Sequence, residues 1–214
     1  MPDPLIGARG AGEAAGAGTL AIATGHALSL ALIDGADSLA CHHLPMAAGH
    51  AEALMPALRA LMAGRPRPAA IRVETGPGSF TGLRVGIAAA RALALAWRCP
   101  VHGMTSMQLV AAEAAARGHR GPLLILLAAP RGQVWLQPLA DGQPIGPPEA
   151  LAPEEARVRL AAWTGAATGS GLASLGLPAA EELPDARFAG AIPEARLGPP
   201  LPLYVRPRPD RQAA

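Results

Sequence analysis

The 214 residues include no lysine and no asparagine, and all 18 basic residues are arginine. Lysine Schiff bases and a lysine-dependent phosphate loop of the Walker type are thereby excluded. Aromatic residues make up only 3 % of the chain although half of it is hydrophobic, so alanine and leucine must do most of the packing. Helices built this way should lie close together. Cysteine is nearly absent as well. Cys41 and Cys99 lack metal-ligand spacing and read as reduced, buried thiols of a cytosolic protein, with a disulfide between them as the alternative. A dominant charge is missing too, since a formal net charge of +2 is too small to mark a dedicated nucleic-acid binder. No segment looks suited to targeting or to a bilayer. The first eighteen residues are rich in Gly, Ala and Pro without an apolar stretch, residues 20–33 are interrupted by Gly25 and His26, and residues 123–129 are too few to span. The expectation is a soluble, cytoplasmic protein with no membrane contact.

What is present is a change of period. Two apolar runs, 19–24 and 28–33, flank Gly25-His26 as a hairpin, and Asp34-Gly35 leads into a third short strand over 38–42. The pattern then becomes helical over 50–62, with Leu54, Leu58 and Leu61 on one stripe before Gly64 and a proline-rich break. A strand at 70–74, a helix at 80–97 stopped by Pro100, a strand at 101–103 and a helix at 106–117 follow. Three meandering strands, then helix–strand–helix–strand–helix, is the order of an RNase H-like or actin-like lobe in an α/β protein. The second half repeats the style in reduced form, with a hairpin of 123–128 and 134–139 around Pro130-Arg131-Gly132 and a helix at 154–163. The expected division is a tail over 1–18, an N-lobe over 19–104, a smaller C-lobe over 105–206 and a tail over 207–214.

The densest signal is the turn Gly76-Pro77-Gly78-Ser79-Phe80-Thr81-Gly82, entered from a strand and left as a helix that Ser79 is placed to cap. Free N–H groups at such a helix start can hold an anion. The spacing fits neither GxxxxGK[ST] nor GxGxxG, and Pro77 removes a donor. The other reading is a tight strand-to-helix turn with close packing.

The run GPGSFTGLRVGIAAARALA, 76–94, strongly resembles the signature of the TsaB (YeaZ) family, in which GPGSFTG-[LVI]-R-[VI]-G opens the second helix. Leu20-Ala21-Ile22-Ala23-Thr24 resembles the family's opening L-A-I-D-T, and His50-Ala51-Glu52-Ala53-Leu54-Met55-Pro56 its H-[ST]-E-x-L-x-P helix. Gly103-Met104-Thr105-Ser106 resembles its G-V-[ST]-[ST], residues 128–135 its D-A-R-R-G-E-V-Y hairpin, and residues 202–206 its closing P-x-Y-[LV]-R. The family's first-strand aspartate is Ala23 here, its hairpin aspartate Ala128, its glutamate Gln133 and its tyrosine Trp135. In actin-like nucleotide binders a first-strand carboxylate helps hold the metal-bound phosphate. Its loss argues against an independent nucleotide site.

The resemblance implies a non-catalytic subunit in the synthesis of threonylcarbamoyladenosine beside the tRNA anticodon. Such a subunit supports a TsaD-like transferase, with a TsaE-like ATPase joining the complex and tRNA met only through it. No catalytic, cofactor or metal residue is expected. Six histidines form no HExxH or HxxxH pair, of the kind the catalytic sister subunit carries, and read as surface or capping residues. Ser79 as a hydrolase nucleophile fails for want of G-x-S-x-G, and the pairs Glu154-Glu155 and Glu181-Glu182 read as solvated faces. The rival is an actin-like nucleotide-dependent kinase or hydrolase, or a glycoprotease-like enzyme. A stand-alone tRNA-binding module is a third reading, opposed by the weak net charge.

The expected working surface is helical. Gly82, Gly86, Ala89 and Leu93 fall within about 60° of arc at about 100° per residue. Ala53, Ala57 and Ala60 make a second small stripe beside the leucines, after His50. Two neighbouring small faces suggest helix-on-helix docking, by resemblance onto the transferase or onto a second copy of the chain. Arg84, Arg91 and Arg98 recur every seven residues on a third face, either as a solvated rim or as a contact for acidic groups or tRNA phosphate.

Overall fold

A computed structural model describes residues 18–178 and 183–205. The expected tails, Glu181-Glu182 and the end of the closing motif at Arg206 lie outside the described residues, apart from Gly18. The architecture is α/β and RNase H-like (actin-like), with two sheets. The first is built from β1 (Thr19–Ala23), β2 (Ala27–Asp34), β3 (Asp37–Pro45), β4 (Ala70–Gly76) and β5 (Val101–Thr105) in the order β3-β2-β1-β4-β5. β1, β2 and β3 form the antiparallel meander, and β4 and β5 add in parallel. The helices between them are α1 (His50–Met62) and α2 (Phe80–Trp97), and α3 (Ser106–Ala116) follows β5. The second sheet has β6 (Leu123–Ala128), β7 (Val134–Ala140), β8 (Gln143–Pro144) and β10 (Ala166–Thr168) in the order β10-β6-β7-β8, with β9 (Glu149–Leu151) also on β7. Two short helices, α4 (Pro153–Ala161) and α5 (Gly171–Ser174), complete it.

Alternation along the strands sorts the first sheet by size. Leu20, Ile22, Leu28, Leu30 and Leu32 point to one face and pack with Leu54, Leu58 and Leu61 of α1 and Ile87, Ala90 and Ala94 of α2. Ala21, Ala23, Ala31 and Ile33 point to the other, where they meet Leu109 and Ala112 of α3 and Ala186, Ala189 and Ile192 of the closing segment. Small side chains there let irregular backbone come close, where large ones would hold it off. α3 works on both sheets, since its Met107, Val110 and Ala114 pack on Leu123, Ile125 and Leu127 of β6.

The closing segment is the main departure from the expected division. Residues 185–205 return to the first sheet, and touch the second through Arg196, which donates to Gly142 O at 2.8 Å, and Val205. The Arg72 guanidinium, on β4, donates to Ala189 O (2.6 Å) and Ile192 O (2.9 Å). Gly103 and Gly198 form an antiparallel bridge, and Leu203 N donates to Thr75 O at 2.7 Å. The span 105–206 is therefore not one spatial unit. Cysteine needs a correction as well: both thiols are free, but Cys41 is exposed on β3, which lacks a strand neighbour on its outer side among the described residues, and Cys99, between α2 and β5, is only half-buried. By length and composition α2, with a mean hydropathy of 1.2, could cross a membrane; here its inner face packs on β4, β1 and β5 as a core helix.

Candidate functional site: the cleft between the sheets and the paired helices

The strand-to-helix turn works as a packing device. Ser79 Oγ accepts from Gly82 N at 3.3 Å, the expected cap, and Ser79 N donates to Gly25 O at 2.7 Å. A Cβ on Gly82 would collide with Thr24 O and one on Gly86 with Thr24 Oγ1, so α2 presses these two glycines against the end of β1. Thr24 Oγ1 closes the contact by donating to Gly82 O at 2.8 Å. This corrects the expectation that Gly82 and Gly86 offer an outward face: both are buried. The misreading has a simple source. A small-residue stripe accepts any close neighbour, and here the neighbour is the chain's own strand.

Glu74 was not singled out from the sequence, yet it organises this end of the sheet. It is fully buried, and its Oε2 accepts from Thr24 N (2.8 Å) and Gly25 N (2.6 Å), while Ser106 Oγ lies 2.6 Å from Oε1. Pro77 O lies 2.8 Å from the same Ser106 hydroxyl and accepts from His26 Nε2 at 2.9 Å. The chain's own carboxylate thus takes the two N–H groups that the β1–β2 turn would offer an external anion. One signal was available in the sequence, an acid within the strand Ile71-Arg72-Val73-Glu74, which the following helix-forming pattern places inside the sheet.

In front of this network lies a cleft of about 270 Å³ whose walls include His26, His50 and Ser79 on one side and Ala128, Pro130 and Trp135 on the other. The His26 and Trp135 rings meet edge to face at 5.7 Å. His50, expected at the surface, is 5 % exposed as the first residue of α1, and its Nε2 is buried without a protein partner. Burial pushes its imidazole below the ordinary range; Glu74 works against the shift and His26 adds to it. Ala23 is buried and Ala128 exposed, and neither supplies a carboxylate. Among the described residues no three His, Cys, Asp or Glu side chains converge to hold a metal ion.

A buried Ser and Asp and a half-buried His do converge elsewhere. Ser29 Oγ donates to Asp185 Oδ1 (3.2 Å), accepts from Ala186 N (2.9 Å), and lies 3.0 Å from His43 Nδ1. Arg187 adds its Nε (2.8 Å) and backbone N (2.9 Å) to Asp185. Burial raises the cost of the Asp185 charge, but the Arg187 bonds and His43 outweigh it and hold the carboxyl below its usual range. A fully buried hydroxyl that contacts the acid directly has no relay geometry. The cluster is a clasp joining β2 and β3 to the closing segment.

On the outer side of the first sheet, α1 and α2 lie side by side. Ala53, Ala57, Ala89 and Leu93 are half-buried in the layer they form over the sheet, and Ala60 is exposed. Beside them runs an apolar groove of about 450 Å³, lined by Met55, Pro56, Met62, Leu93 and Trp97 among others. Met55 is 53 % exposed at its rim. The Arg stripe splits: Arg84 and Arg91 reach the closing segment, and Arg98 ends α2 in a left-handed conformation.

The family model described as "TsaD: tRNA N6-adenosine threonylcarbamoyltransferase" matches residues 45–188. The fold superposes on the whole of YeaZ from Pseudomonas aeruginosa with a TM-score of 0.71, covering 88 % of this chain at 26 % identity. The chain belongs to the TsaB (YeaZ) family. A TsaB protein of Buchnera aphidicola is 33 % identical over 65 residues, 30 % of this chain and 31 % of its own length. An uncharacterised Mycobacterium leprae protein is 35 % identical over 145 residues, 66 % of this chain, which therefore spans only 38 % of that relative. An uncharacterised Mycobacterium bovis protein is 32 % identical over 170 residues, 77 % of this chain and 78 % of its own length. Set in the TsaB family, the glycine turn is a signature of packing, and the cleft and the outer helical groove are separate from it.

Proposed function

We propose that the chain is a non-catalytic subunit of the cytoplasmic machinery that makes threonylcarbamoyladenosine in tRNA, and that it docks on a TsaD-like transferase through the outer side of α1 and α2. The observation that carries this reading is the pairing of an open apolar groove on α1 and α2 with a cleft that has no free carboxylate. A groove rimmed by a half-exposed methionine and a tryptophan suits the core of a protein interface. The cleft is poor ground for nucleotide chemistry, because Ala23 and Ala128 cannot ligate magnesium and Glu74 already takes the N–H donors of Thr24 and Gly25. A TsaE-like ATPase joins the assembled complex in this reading, and a second copy of the chain can use the same helical face when the transferase is absent.

The test is association measured by light scattering with purified TsaD-like subunit, alongside calorimetry with magnesium-ATP on the chain alone. Met55→Arg puts an unpaired charge at the groove and should weaken association at least tenfold, with an unchanged circular dichroism spectrum. Undiminished association by the folded variant refutes the docking face. Micromolar magnesium-ATP binding by the isolated chain refutes the non-catalytic assignment and favours the actin-like enzyme.

A further inference from the structure

The chain has two phenylalanines and one tyrosine, and two of these three rings stand together on the surface. Phe80 opens α2 at 53 % exposure and Tyr204, in the closing segment, is 44 % exposed. Their ring centroids are 5.3 Å apart with a 30° tilt. The Arg84 guanidinium lies 3.7 Å over the Phe80 ring and donates from Nε to Tyr204 Oη at 2.9 Å. Two helical turns further on, Arg91 donates to Pro200 O at 2.8 Å, and Arg98 stands at the end of the same helix. Each guanidinium has five N–H donors, so these bonds leave most of the donors of Arg84 and Arg91 facing solvent. The charge is unopposed along the chain: no Asp or Glu occurs between Glu74 and Glu113, nor over 197–205.

We infer that this aromatic–arginine platform, formed by α2 and the closing segment, binds single-stranded RNA, stacking a base on the Phe80–Tyr204 pair and holding phosphates with Arg84, Arg91 and Arg98. Exposed rings interleaved with cations of one sign are what unpaired nucleotides require, since every base has a π-face and every phosphate a negative charge. The weak net charge of the whole chain does not oppose this, because Arg84, Arg91 and Arg98 lie on α2 and at its end, in a stretch, 75–112, that has no Asp or Glu. A protein partner is the competing occupant, and the apolar groove between α1 and α2 suits that class better. The RNA chemistry is read from the platform; that the RNA is a tRNA rests on the proposed function.

The experiment is fluorescence anisotropy of a labelled single-stranded RNA oligonucleotide, and separately of an unmodified tRNA, with the full chain at two salt concentrations. Binding of the oligonucleotide should fall with salt. Tyr204→Ala should weaken it by roughly five- to a hundredfold, and Tyr204→Phe should retain it. Arg84→Ala with Arg91→Ala should lower both affinity and its salt dependence. All three variants should still associate with the TsaD-like subunit, so a failure of the docking proposal would be read separately. Failure of the wild-type chain to bind the oligonucleotide, or equal binding by folded Tyr204→Ala and the double arginine variant, overturns the inference. Loss of TsaD-like association with RNA affinity unchanged assigns the platform to a protein and overturns it equally.

Discussion

The two faces of the first sheet are covered by different means. On one, leucines and isoleucines from β1 and β2 meet two regular helices, and stability comes mainly from apolar area. On the other, alanines admit the closing segment, whose main chain is held by polar groups: Arg72 on two carbonyls, Asp185 on Ser29 and Arg187. The helical cover accepts change among its large apolar side chains, though not at Gly82 and Gly86, where α2 presses on Thr24. The polar cover is specific and intolerant, because each donor removed orphans a buried acceptor.

Substitution can break this contrast where it should be strongest. Gly86→Arg drives a long side chain into Thr24, so the variant should fail to fold, at a cost above about 4 kcal/mol. A cooperative melt near that of the wild-type protein would mean that α2 does not press on β1. Asp185→Ala should cost about 3 kcal/mol in denaturant titration, since it leaves the Ser29 and Arg187 donors without their acceptor. The carboxyl is held below its ordinary value, so its contribution is complete above that value and is lost as pH falls through the folded one. The alanine variant should lack that acid-limb loss. Ile22→Val, on the helical face, should cost only about 1 kcal/mol, and a larger loss there than at Asp185 would invert the comparison.

The smallest effect concerns His50, where the helical layer meets the cleft. Its imidazole is depressed by burial, so folding favours the neutral ring. Stability should be full above the ordinary imidazole value, about 6.5, and decline as pH drops from there toward the folded value. Glu74 and His26 are the charged neighbours that bear on it, and they oppose each other. His50→Gln should flatten this slope at a cost below about 1 kcal/mol at neutral pH; an unchanged slope would assign it to another group.

The two covers also differed in how far the sequence disclosed them. α1 and α2 could be read to the residue, because Leu54, Leu58 and Leu61 repeat at helical spacing and Ser79 caps the second helix. The meander was legible from Gly25-His26 and Asp34-Gly35, although β3 runs to Pro45, further than its alternation suggested. The closing segment was not legible. It has no period, and its anchors are backbone carbonyls reached by an arginine more than a hundred residues away. At the site, the resemblance to the family's motifs marked Ala23 and Ala128 as positions that lack its carboxylates. It could not disclose that Glu74 turns inward, or that the small face of Gly82 and Gly86 is consumed within the chain.

The clasp between Ser29 and the Asp185 carboxylate and Ala186 N joins positions 156 and 157 residues apart, which bears on how the protein is made. A ribosome delivers β1, β2 and their helices long before it delivers residue 185. During that interval the alanine face of a nearly complete sheet has only α3 to cover it. Many chains fold their amino-terminal unit as it emerges. Here the alanine face lacks part of its cover until residues 185–192 are made, so a nascent polypeptide stalled before residue 185 would expose unsealed strands to whatever chaperone or neighbour is at hand.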